Sequence, residues 1–176
     1  NLEQDSNDFD VVKIEPAFIN QSIKKGDGLE KLKYAVYSIA SFFAKEYVLD
    51  LVSIGISYPE LIQRVDNLDS FFSKAVPVVV KDLKNARDLY STVSTSVDES
   101  LTRVTYAQDI NLRYPELSSV SKEQKQFPIT VVQTESLEGH TLEHGTAISL
   151  ILVGDSQSYL LFRKDVFNGK KGVNFV

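Results

Sequence analysis

From Leu61 to Val104 the chain places an apolar residue at every third or fourth position: Leu61, Val65, Leu68, Phe72, Ala75, Val79, Leu83, Ala86, Tyr90, Val93, Val97, Leu101 and Val104. That spacing draws one continuous stripe along a helix. Unbroken, the helix would run roughly 60–70 Å, far beyond an average globular helix. Pro77 lies inside the run and lacks a backbone donor, so the spacing predicts a kink or a division there. Ser96-Val97-Asp98-Glu99 offers a capping box from which a helix can restart. The interval drifts between three and four instead of holding strict a and d positions. It therefore predicts helices packed as a hairpin or bundle ahead of a coiled coil.

A second stripe precedes the first. Asp27-Gly28-Leu29-Glu30 reads as a capping box, followed by Leu32, Val36, Ile39, Phe43, Tyr47, Leu51 and Ile54, with Gly55 as the stop. Ser57-Tyr58-Pro59-Glu60 reads as another box, with proline in the first turn, where its missing N–H costs little. Upstream, Val11-Val12-Lys13-Ile14 forms a short strand ending before Pro16.

After Ser118 the pattern changes. Pro128 to Gln133, Ala147 to Val153 and Ser158 to Arg163 read as strands, the last two joined by a hairpin turn at Gly154-Asp155-Ser156-Gln157. Asn168-Gly169-Lys170-Lys171-Gly172 is a further turn leading into Val173 to Val176. The expected fold is α+β: an N-terminal hairpin or bundle of long amphipathic helices packed on a C-terminal antiparallel meander of about four strands. The expected division is a polar leader and short extended segment over 1–26, a helical section over 27–117, a connector over 118–126 and an antiparallel β section over 127–176. Residues 27–176 are expected to form one domain.

His140, Glu143 and His144 spell H-x-x-E-H, and those two histidines are the only ones in the chain. On a helix both imidazoles would share one face, able to hold zinc while the glutamate serves as base toward a bound water. The order matches that of inverted zinc peptidases, and the string His-Thr-Leu-Glu-His resembles a stretch of the S-ribosylhomocysteinase family. That family completes its zinc site with a cysteine, and this chain has none. No glutamate follows Glu143 to stand for the peptidases' downstream ligand. Gly139 and Gly145 bracket the motif and a strand follows it, so the local pattern predicts a polar loop instead of a helix. His140 and His144, with Glu143 as base, are thus candidate metal residues in a reading that assigns no catalytic residue and no cofactor.

The formal charge of −5 gives no basic face for nucleic acid. No stretch of about 20 apolar residues reaches the length of a bilayer span. Asp98-Glu99 is a carboxylate pair, but adjacent acids on a helix diverge. There is no G-x-x-x-x-G-K-[ST] or G-x-S-x-G string. The acidic stretch from Asn1 to Asp8 suits the mature end of an exported protein. Taken together, these features lead to an expectation of a non-enzymatic interaction or assembly protein, exported, docking to protein partners or to itself through its helical face or a sheet edge. Two alternatives are a membrane-active, toxin-like helical protein exposing Phe42-Phe43, Phe71-Phe72 and the run from Ala75 to Val80, and a zinc hydrolase using residues 140–144.

Overall fold

A computed structural model describes residues 9–14, 28–47, 49–68, 71–83, 88–103, 127–142, 145–154 and 157–164. In chain order the elements are β1 (Phe9–Ile14), α1 (Gly28–Tyr47), β2 (Leu51–Ser57), α2 (Pro59–Val65), β3 (Val76–Lys81), α3 (Leu89–Arg103), β4 (Ile129–Thr134), β5 (Ile148–Val153) and β6 (Gln157–Arg163). The strands form a single mixed sheet in the order β1-β6-β5-β4-β2-β3. Its centre is parallel, β5 beside β4 beside β2, and antiparallel pairs flank it on both sides.

This architecture replaces the expected helical bundle on a four-stranded meander. The stripe that begins at Leu32 ends as a helix at Tyr47, and Leu51–Ser57 continues as a strand. The stripe from Leu61 is not one helix but α2, β3 and α3 in succession. A spacing of four residues fits both a helical turn and two strand repeats, so the stripe could not tell them apart. Within β3, Val76, Val78 and Val80 are buried while Val79 is 40% exposed, which is strand alternation. Pro77 lies in this edge strand, where a missing donor is tolerated. Helix α3 runs unbroken through Ser96–Glu99, and its start is capped by Asp88, whose Oδ1 accepts from the Ser91 N–H at 3.0 Å.

Several expectations hold. β1 falls where the Val11–Ile14 run placed it, α2 begins with Pro59 in its first turn, and β5 and β6 form an antiparallel hairpin. The leader over 1–8, Asp27, the connector over 118–126, the turn at 168–172 and the terminal strand lie outside the described residues.

Cross-strand register sorts the sheet into two faces. Val52, Ile54 and Ile56 pair with Val80, Val78 and Val76, and Ile56 continues through Val131 and Leu150 to Leu160. These residues share one buried cluster with Leu32, Val36 and Ile39 of α1 and Val93 and Val97 of α3, so α1 and α3 cover this first face. At about 25 cal/mol per Å² of apolar surface removed from water, this cluster is the main stabilising element.

Polar groups set how α1 meets α3. Lys33 Nζ, whose side chain is 9% exposed, pairs with Asp98 Oδ1 at 3.0 Å and Glu30 Oε1 at 3.4 Å. The Tyr90 hydroxyl donates to Glu30 Oε2 at 2.8 Å, and its ring stacks on Tyr34 at 4.6 Å. Burial works to lower the Lys33 pKa, but Asp98 and then Glu30 outweigh it, leaving the ammonium above its ordinary value of 10.5. A raised lysine pKa contributes stability at all pH values below the ordinary one, lost only as pH climbs through the folded-state value. Asp98→Asn is expected to cost about 1 kcal/mol at neutral pH, since Asp98 is half exposed and such pairs are partly screened. Urea unfolding at pH 7 checks this, and an unchanged midpoint would contradict it.

Candidate functional site

Because β4 and β5 are parallel neighbours, the chain between them must cross over a face of the sheet. The first face is taken by α1 and α3. The described residues of this connection, 135–142 and 145–147, therefore belong to a crossover of the second face, and His140 lies on it. In a meander the same segment would have stayed at a sheet edge.

The crossover is tied down at both ends. Thr134 accepts at its carbonyl from the Gly154 N–H at 2.9 Å, and the Ala147 and Ile148 N–H groups donate to the Pro128 carbonyl at 2.8 and 3.2 Å. The Thr146 hydroxyl donates to the Phe127 carbonyl at 2.9 Å. Midway, the His140 N–H donates to the Leu137 carbonyl at 3.1 Å, closing a turn with Gly139 at φ +78°. That φ belongs to the third position of a type II turn, which favours glycine. The turn brings His140 back toward the end of β4.

His140 Nε2 lies 3.2 Å from Thr134 Oγ1, and that hydroxyl donates to the Ser136 carbonyl at 3.1 Å. With its proton so placed, Thr134 accepts from Nε2–H, which leaves Nδ1 as the ring's lone-pair nitrogen.

Beneath the crossover is a cavity of about 290 Å³. Its floor comes from the second face: Ser57 of β2, Thr130 and Val132 of β4, and Ser149 and Ile151 of β5. Register places Ser57 beside Val132 and Val132 beside Ile151, with Thr130 beside Ser149. His140, Thr141 and Leu142 line it from the crossover, Ile62 from α2, and Lys74 and Ala75 from the approach to β3. Ser57 is 8% exposed and its side chain makes no hydrogen bond among the described residues, while Ser149, 5% exposed, accepts from the Thr130 hydroxyl at 2.8 Å. The cap of α2 is Tyr58, without a side-chain hydrogen bond, so Ser57 is the last residue of β2 and not the helix cap that its spacing from Glu60 implied.

Of the sequence candidates, His140 lies in this cavity on a loop, while Glu143 and His144 lie outside the described residues. Among the described residues no three His, Cys, Asp or Glu side chains gather in a metal-holding group. Sequence reasoning missed Ser57, Lys74, Thr130 and Ser149. Sheet register brings Ser57, Thr130 and Ser149 together, Lys74 joins them from the approach to β3, and no local spacing signals either.

Of the runs that suggested a membrane-active protein, Phe43, Val76, Val78 and Val80 are core residues and Phe42 and Phe72 pack partly against the core, while Phe71 and Val79 are exposed. Among the described residues no helix is long and apolar enough to cross a membrane.

No family of known sequences matches this chain, and no curated protein does. Solved structures do. The chain is similar to the starter condensation domain of rhizomide synthetase RzmA at 13% identity and a TM-score of 0.57, covering 96% of this chain and 42% of that one. It is similar to the tallysomycin biosynthesis protein TlmII at 13% identity and a TM-score of 0.52, covering 90% and 47%. The nonribosomal peptide synthetase FmoA3 gives 10% identity and a TM-score of 0.58, covering 95% and 21%. At these identities the likeness is one of fold, and the chain spans less than half the length of the structures it matches. It overturns the reading as a non-enzymatic helical assembly protein. The stripe meant for docking is largely core, and the architecture is one found in nonribosomal peptide synthetase condensation domains.

Proposed function

We propose that this chain is one lobe of an acyl-transfer enzyme of the condensation-domain type. It would join an acyl group, delivered as a thioester on coenzyme A or a carrier protein, to an amine. The observation that carries this reading is the fold likeness, which takes in nearly the whole chain but only about two fifths of the RzmA domain. A variant of that domain has been solved in complex with C8-CoA and Leu-SNAC.

The cavity suits such a step. Acyl transfer needs a proton acceptor for the attacking amine, and His140 Nδ1 is a lone-pair nitrogen on a cavity-lining ring. The amine nitrogen attacks the thioester carbonyl carbon and gives its proton to Nδ1. The C–N bond forms, the C–S bond breaks, and the departing thiolate takes the proton and leaves as a thiol. Thiol release from an octanoyl thioester, followed by a colorimetric thiol reagent against increasing leucinamide, tests the proposal. Release that rises with amine above the uncatalysed rate supports it, and release that ignores the amine contradicts it.

A further inference from the structure

We propose that the cavity under the crossover binds a small aliphatic carboxylate, with its head group held by Ser57 and Lys74. This goes beyond acyl transfer and depends only on the chemistry of the cavity wall.

Ser57 is 8% exposed and lines the cavity, and its side chain makes no hydrogen bond among the described residues. A hydroxyl that borders a cavity without a protein partner is open to a ligand or a water. Deeper along the floor, Ser149 accepts from Thr130, which leaves the Ser149 proton free to donate. Lys74 is the cationic side chain in the lining, and no Asp or Glu stands among the described lining residues. Ser57, Ser149 and Lys74 can each donate toward the cavity, apart from the lone pair of His140 Nδ1 on the crossover, and together these donors call for an acceptor that carries negative charge.

The rest of the described wall mixes aliphatic and polar side chains. Val132 and Ile151 lie on the floor beside Ser57, with Ile62 and Leu142 around them, while His140, Thr141 and Thr146 stand on the crossover side. One lysine beside this aliphatic floor fits a monoanion with a hydrocarbon body better than a phosphate, which calls for more than one positive or backbone donor. A dry cavity of about 150 Å³ holds benzene. At about 290 Å³ this one has room for roughly ten non-hydrogen atoms. The head group could belong to a free carboxylic acid or be the carbonyl of an acyl thioester, and the proposal commits to the free acid.

Isocaproate, isocaproamide and the isocaproyl thioester of N-acetylcysteamine, each titrated into the whole chain and followed by amide chemical shifts, decide the matter. Isocaproate is expected to bind about tenfold tighter than the isosteric neutral amide, the size of effect for hydrogen bonds to a charged group. Ser57→Ala and Lys74→Ala are each expected to weaken isocaproate by about fivefold or more, with unchanged spectra in the absence of ligand. Lys74 is solvent-exposed, so its variant keeps the test open should the serine change disturb the fold. Equal binding of acid and amide, or binding that ignores both substitutions, overturns the proposal. Tighter binding of the thioester than of the acid also overturns it, and leaves the acyl-transfer reading standing. If none of the three binds, the carboxylate site is refuted, and thiol release alone then judges acyl transfer.

Discussion

Gly55→Val is expected to destabilise this protein by about 3 kcal/mol, the upper end of what overpacking a well-filled interior costs. Gly55 sits in β2 between Pro77 of β3 and Thr130 of β4, so the strand cannot move aside. The Phe127 ring lies directly over it on the second face. A Cβ at position 55 would approach Phe127 Cγ to 2.5 Å and its Cβ to 2.9 Å, inside van der Waals contact. Nor can the ring easily retreat, because the Phe127 and Pro128 carbonyls hold Thr146, Ala147 and Ile148, where the crossover lands. The strain therefore reaches the roof of the cavity. Urea unfolding reads the loss as a shift in midpoint at constant slope. Pairing Gly55→Ala with Phe127→Leu should recover part of the loss of the single glycine change, because the two side chains compete for one space. An unaffected midpoint in Gly55→Val would show that Phe127 does not pack there.

His140→Gln is expected to lower amine-dependent thiol release by at least about 100-fold, the usual contribution of a positioned general base. Glutamine keeps a polar group near Thr134 but cannot take a proton from the amine. The side chain is only partly buried on a loop, so the unfolding midpoint should barely move. Thr134→Val removes the oxygen that faces Nε2 at 3.2 Å and frees the ring to turn, so a smaller loss of about tenfold is expected. Unaltered turnover in His140→Gln would remove this imidazole from the reaction while leaving the fold likeness intact.

Local signals survived the passage from sequence to structure, and long-range ones did not. Pro59 marked the start of α2, and the turn residues after Val153 marked the β5–β6 hairpin, because each acts through its own backbone. The stripe from Leu61 to Val104 misled, because Val76, Val78 and Val80 alternate inside a spacing that also fits a helix. Strand direction was equally hidden. Ile129–Thr134 and Ile148–Val153 look the same in a meander as in a parallel pair, although the near-continuous burial of β5 is what a parallel centre produces. The site inherited that ambiguity. His140 was legible as a residue able to do chemistry, but its place over the sheet depends on β4 and β5 running the same way. Ser57 was read as a helix cap because Glu60 follows it at the right distance, and its role as cavity floor appears only once Val132 and Ile151 stand beside it.

The parallel pairing of β4 with β5 carries the rest of the account, since it puts His140 and its neighbours over the second face and creates the cavity. Nuclear Overhauser contacts between α-protons across this pair test it directly. The account predicts no strong α-proton contact between Ile129–Thr134 and Ile148–Val153, with strong ones appearing between β5 and β6, where the pairing is antiparallel. A ladder of strong α-proton contacts between β4 and β5 would mean a meander, return His140 to a sheet edge, and contradict the site and the function drawn from it.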